Sequence, residues 1–150
     1  MIPAFSALFL LLAGGTGGAA AQTFGPAAPE RETGTEAGEA RPVTIGLEGP
    51  GSDACGAVGR VSGLTPLGEI SLPVHERPTS RSGILDRLAP RMLVWLCEAE
   101  GEWQGVVFPS GEFQELGDCR VGSPVAAPRA YDGPCRSGWV LGKNLELVAG

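Results

Sequence analysis

The side chains of this 150-residue chain with the reach for chemistry are four cysteines, one histidine and a scatter of carboxylates. A zinc site needs thiolates or imidazoles two to four positions apart, whereas Cys55, Cys97, Cys119 and Cys135 are separated by 42, 22 and 16 positions. There is no C-x-x-C pair and no glycine-rich phosphate cradle. An even count of widely spaced cysteines points instead to disulfides and an oxidising compartment. An imidazole suits acid–base work near neutral pH, but His75 has only Ser80 and Ser82 nearby in sequence, and nothing in that spacing holds a third, orienting group. His75 therefore reads as a strand-surface residue. The chain is expected to be no enzyme, with no catalytic residues, no metal and no cofactor.

Charge narrows the partners. The net charge is −6 and the pI about 4.8, the wrong sign for displacing counterions from a nucleic acid. Glu98, Glu100 and Glu102 alternate around Gly101 and read as a solvated hairpin tip, able to attract a cationic peptide. Arg77, Arg81, Arg87 and Arg91 form a looser cationic set, read as solubilising.

Three segments must carry these residues. Residues 1–21 resemble a cleaved signal peptide: an apolar run from Phe5 to Ala13, then Ala19-Ala20-Ala21, with Gln22 as the first mature residue, although no Lys or Arg precedes the run. A nine-residue run is too short to cross a bilayer, which takes about 20 apolar residues, so no stable membrane insertion is expected. Residues 22–50 are rich in Pro, Gly, Ala, Thr and Glu without apolar periodicity, and are expected to be a disordered spacer. That leaves residues 51–150 for one domain.

There, short apolar runs are broken every 8–12 residues by Gly or Pro, the rhythm of a small all-β barrel or sandwich. Strands are predicted at 57–61, 70–74, 92–97, 103–108, 138–141 and 145–148. Pro73 should put its strand at an edge or turn it outward. Ser82–Leu88 carries the one helical hint. Alternation sends Val94 and Leu96 to one face and Trp95 and Cys97 to the other, while Val106 and Phe108 oppose Trp103, Gly105 and Val107. The segment 109–134 is a long insertion rich in Pro and Gly. Four cysteines allow three pairings. Cys119 and Cys135 bracket the insertion and are favoured as partners, closing 17 residues for roughly 3 kcal/mol; Cys55–Cys97 follows by elimination, closing 43 for roughly 4 kcal/mol.

With the strands placed, the sequence resembles the bacterial SH3-like (SH3b) family. The residues that carry the resemblance are Leu72-Pro73-Val74-His75-Glu76-Arg77-Pro78-Thr79, Ile84–Leu88, Val94–Cys97, Gly101-Glu102-Trp103-Gln104-Gly105-Val106 and Ser137-Gly138-Trp139-Val140-Leu141. The match runs from Leu72 to about Leu147, with the cysteine-bracketed loop inserted before the last strand. It departs from the pattern at His75 (usually Arg), Arg77 (usually Gly), Pro90 (usually Gly) and Asn144-Leu145 (usually Tyr-Leu). The resemblance implies a partly open barrel of about five strands and a non-catalytic role in exported proteins, binding a peptide or cell-wall peptidoglycan.

On that frame the expected ligand groove holds Trp103, Trp139, Tyr131, Arg77 and Glu100, with aromatic faces free to stack on proline or sugar rings. Each indole has a core alternative: Trp103 and Trp139 would plug the barrel, and Trp95 would cover a sheet face or pack under Cys55. Tyr131 would lean over the groove or anchor the loop. A monomeric binding module is the leading reading. The rival is a structural or inhibitory protein that meets a partner protein through the 109–134 loop.

Overall fold

Strand pairing explains most of the chain's local choices. The structure, a computed structural model, describes residues 38–150. The expected signal peptide and the first part of the expected spacer lie outside the described residues. Nine strands follow in order: β1 Thr44–Ile45, β2 Ala57–Val61, β3 Leu72–His75, β4 Ile84–Leu88, β5 Leu93–Glu100, β6 Trp103–Phe108, β7 Arg129–Ala130, β8 Arg136–Leu141 and β9 Leu145–Ala149. Seven make one antiparallel sheet in the order β4-β3-β8-β6-β5-β2-β9, and β1 pairs with β7 separately. The fold is all-β, as the rhythm of the sequence requires. The main sheet has seven strands, more than the five or so that the resemblance implies.

The inner face of the sheet buries itself. Val61, Leu72, Val74, Leu88, Val94, Val106, Phe108 and Val140 form one cluster, each at most 1% exposed, with Leu64, Met92, Leu96 and Leu145 packed around it. These residues come from the strands and two connecting loops, and no separate layer is among them. A flat sheet of seven strands would span about 29 Å between its outer strands and leave that face wet. It therefore curls over its own side chains. Gly138 permits a close approach of β8 to β3, since a Cβ there would lie 3.0 Å from the His75 carbonyl oxygen.

A second layer covers the outer face. Ile45, Ala54, Cys55, Val107, Cys119, Val121 and Cys135 are buried together, with Trp95, Cys97, Phe113, Val125 and Tyr131 against them. The alternation expected in β5 and β6 is observed: Val94, Leu96, Val106 and Phe108 face inward, Trp95, Cys97, Trp103 and Val107 outward. Both expected disulfides are present, Cys55–Cys97 and Cys119–Cys135, consistent with an oxidising, exported environment. No helix among the described residues is long and apolar enough to cross a membrane.

Several expectations need correction. Ser82–Leu88 is not helical: Ile84–Leu88 is β4, because Leu72–His75 pairs with it and buries Leu88. The strand holding Pro73 is not the outermost one, since β4 takes that place, but β3 meets β8 only at His75–Trp139, so at Pro73 itself one side of the strand is unpaired, as a proline requires. Within the 109–134 insertion lie a 3-10 turn at Leu116–Cys119, strand β7, and the buried Cys119 and Val121. The turn before β5 has no glycine, and Arg91 takes the left-handed conformation at φ 70°. Arg77 keeps an ordinary φ, so the glycine missing there does not strain the first long loop.

The spacer also ends earlier than expected. Composition places it at 22–50, yet Val43 and Ile45 are 0% and 1% exposed and Thr44–Ile45 forms β1. Val-Thr-Ile is a β-branched triplet, and the outer face of the sheet supplies the apolar surface it needs. Ile45→Ala is expected to lower stability in urea unfolding by about 2–4 kcal/mol, while Leu47→Ala, at a side chain 51% exposed, changes it by less than about 0.5 kcal/mol. Equal, negligible effects would return the segment to the spacer.

Candidate functional site

Trp103 starts β6 and Trp139 sits in the middle of β8, on the outer face of the sheet. With Val43 they form a third buried cluster, flanked by Cys97 and Leu141. His75 packs edge-on against Trp103 with ring centroids 5.1 Å apart. Its Nδ1 lies 3.3 Å from the Ser82 carbonyl oxygen; a carbonyl only accepts, so Nδ1 carries the proton. His75 is 7% exposed, not the strand-surface residue expected, because strands lie on both sides of it. The Ser82 hydroxyl accepts the Arg77 N–H at 3.2 Å and lies 2.9 Å from the Thr79 carbonyl, so it closes the β3–β4 hairpin rather than facing His75.

The indoles are covered by the chain itself. Arg41 and Val43, which lead into β1, lie across them. Trp139 Nε1 donates to the Arg41 carbonyl at 2.8 Å, and the Arg41 guanidinium carbon sits 4.5 Å from the centre of the Trp139 ring. The Arg41 N–H donates to the Glu76 carbonyl at 3.0 Å. The guanidinium pairs with Glu98 at 2.5 Å and also with Glu100. Glu98 accepts the Thr44 N–H at 2.8 Å, and the Val43 carbonyl accepts the Tyr131 N–H at 2.8 Å. Gly105, opposite Trp139 in the ladder, makes room for the approach: a Cβ there would lie 3.0 Å from Val43 Cγ1.

The expected groove residues thus meet, but around an occupant. Trp139 and Trp103 are buried, at 0% and 8% exposure, so neither offers an open face as expected. The reason is Val43 and Arg41 above them. Tyr131 and Glu100 touch the same segment, and Gly38 rests against the Arg77 guanidinium, where a Cβ on the glycine would come within 2.5 Å of it. Glu98 is no solvated hairpin tip; its side chain is 10% exposed against 52% for Glu100. Arg41, Val43 and Glu98 were missed by sequence reasoning. The signal that was present is the Arg-Pro-Val-Thr-Ile run, which breaks the polar composition around it.

Tyr131 anchors the inserted loop. Its hydroxyl donates to the Cys119 carbonyl and accepts the Cys135 N–H, both at 3.0 Å, so it ties together the two ends of the segment that the disulfide closes. Burial raises its pKa above the usual tyrosine range and the Asp132 carboxylate adds to the rise, against the Cys135 N–H and Arg120. Trp95 packs in the cluster that holds Cys55 and donates its Nε1–H to the Leu116 carbonyl at 2.9 Å. Beside Tyr131 lies a cavity of about 460 Å³, lined among others by Arg120, Arg129, Asp132 and Pro134. Among the described residues no group of three or more His, Cys, Asp or Glu is placed to hold a metal ion.

No family model, no curated protein and no solved structure matches this chain.

Glu98→Gln is expected to cost about 1–3 kcal/mol, since it takes the charge from a nearly buried acceptor shared by Arg41 and Thr44. Glu100→Gln, an exposed pair, costs less than about 0.5 kcal/mol; equal losses in denaturant titrations would contradict the ranking. Tyr131 is the chain's single tyrosine, so its phenolate absorbance reports it alone. Its folded pKa lies above its unfolded one, so its contribution to stability is whole below about pH 10 and is lost as pH rises beyond that. A titration midpoint in the folded protein at or below that of the unfolded chain would contradict this.

Proposed function

We propose that the chain is an exported, non-catalytic binding module: an SH3-like curled sheet, led by a signal peptide and a spacer, whose aromatic crevice recognises an extended peptide. The peptide of a protein and the stem peptide of peptidoglycan are the forms of that ligand. One observation carries the reading. The crevice of His75, Trp103 and Trp139, rimmed by Glu98 and Glu100, grips an extended Arg41-Pro42-Val43 segment through both main chain and side chains. That combination is how grooves read peptides: main-chain bonds hold the strand and pockets choose its side chains. Support for export comes from the two disulfides.

A second reading is favoured by the inserted loop. The disulfide Cys119–Cys135 and the two Tyr131 hydrogen bonds hold the 119–135 part of the inserted loop in one shape, and a preorganised loop loses little entropy on meeting a partner protein. Proline-rich peptides and wall stem peptides titrated into the full chain separate the two, with indole N–H resonances as the readout. A Trp139 shift that weakens about tenfold in Glu100→Ala or Arg77→Ala supports the crevice. Binding that survives those changes but is lost in Tyr131→Ala with Asp132→Ala supports the loop. No shift with any ligand, in the full chain or in its Arg41→Ala variant, overturns the crevice reading.

A further inference from the structure

We infer that residues 38–43 are a resident ligand of the crevice, and that the outside peptide it accepts carries the same chemistry: an extended backbone with arginine, then proline, then a β-branched residue. This rests on the binding-module reading above and adds the ligand's class and its control. In this state the crevice is closed by its own chain.

The guanidinium position is a built site. It offers the face of Trp139 at 4.5 Å and two carboxylates, Glu98 and Glu100. A guanidinium uses its planar face and its fork of donors at once, which an ammonium does not. Pro42 is exposed and needs no hydrogen-bond partner, and its fixed φ holds the chain extended between the two anchors. Val43 then fills the space beside Trp103 and Trp139 that Gly105 leaves open. The main chain is bonded in both directions, by Arg41 to Glu76, by Trp139 to Arg41 and by Tyr131 to Val43.

The hold on this segment is local. Residues 38–43 form no strand of their own, the ladder that follows them is two residues long, at β1–β7, and the chain then joins the rest through a turn with Gly46 and Gly49 at positive φ and an exposed Pro50 and Gly51. Both cysteine partners nearest it, Cys55 and Cys97, lie beyond that turn, so no disulfide ties the segment down. A tethered occupant acts at an effective concentration of about 1 mM. A free peptide that binds the open crevice at about 10 μM would then bind the closed one about 100-fold more weakly.

The test inserts a protease site between Gly49 and Ser52 of the full chain. A labelled peptide with the sequence of residues 38–45 is titrated into cut and uncut protein by fluorescence anisotropy. The cut protein is expected to exchange its segment for the peptide and to bind it about 100-fold tighter than the uncut protein does. Citrulline in place of the peptide's arginine weakens binding at least tenfold. In the uncut chain, Arg41→Ala is expected to tighten peptide binding about tenfold. If cutting abolishes the near-ultraviolet circular dichroism, or a large excess of peptide binds neither the cut protein nor Arg41→Ala, the segment is a fixed part of the core and the inference is overturned. If stem peptides shift the crevice resonances of the uncut protein while the arginine–proline peptide never binds, this inference falls and the binding-module reading stands. If no peptide binds any form, both fall.

Discussion

The arrangement of the outer face depends on one contact, the packing of Arg41 and Val43 over Trp139 and Trp103. An indole buries on the order of 150–250 Å², and two of them stand side by side on the face of the sheet that the inner core does not cover. Left bare, they would make an apolar patch of the size that marks an interface. The segment that covers them brings Ile45 onto the neighbouring cluster of Cys55 and Cys119 and sets β1 against β7. Magnitudes rank the parts of this contact. Burying Val43 contributes about 1.5–3 kcal/mol, while the exposed pair with Glu100 contributes at most about 1. Apolar contact holds the segment, and the charges fix its register.

That contact matters because the domain is small. The inner cluster fills the curl of the sheet with eight buried residues, none larger than phenylalanine, and a core of that size stabilises a domain of about 100 residues only marginally. The outer layer adds a second core, and it is built from segments with little regular structure. Such segments stay in place because they are fastened: Cys55 to β5, Cys119 to Cys135, and the Tyr131 hydroxyl to the main chain at both ends of that loop. Both staples act on the outer layer, where hydrogen bonding along strands is sparsest.

What the sequence made legible follows the range of the forces involved. β2 and β6 lie at the residues expected, because alternation and flanking glycines are written within each run. The disulfides were legible because four widely spaced cysteines lack the clustering that metal binding needs. Ile84–Leu88 was not: its apolar residues at 84, 85 and 88 fit a helical turn as well as a strand, and the choice is made by Leu72–His75 across the hairpin. The residues expected to line a groove stand out by type, as aromatic rings and charges near turns, but the exposure expected of Trp103 and Trp139 is not observed. Exposure depends on which distant segment lies above, and Val43 and Ile45 were hidden in a composition averaged over the polar residues before them.

In the proposed binding module, the charge balance gives the crevice its selectivity. The chain is acidic, with a net charge of −6, yet Glu98 sits where its side chain is only 10% exposed. A carboxylate so placed loses much of its hydration, and the Thr44 N–H alone replaces only part of it. Arg41 supplies the remainder with a charge and a fork of donors. An occupant without a cation there leaves the carboxylate desolvated and unpaired, which is far more costly than the net gain from forming the pair. Discrimination in this crevice therefore arises mainly from the penalty on wrong occupants. The indole beneath sets the second condition, because it rewards a flat, weakly hydrated cation over a compact one. In the proposed module, selectivity for arginine thus follows from two groups, Glu98 on β5 and Trp139 on β8, which the sheet holds on the two strands that flank β6 whichever segment lies above them.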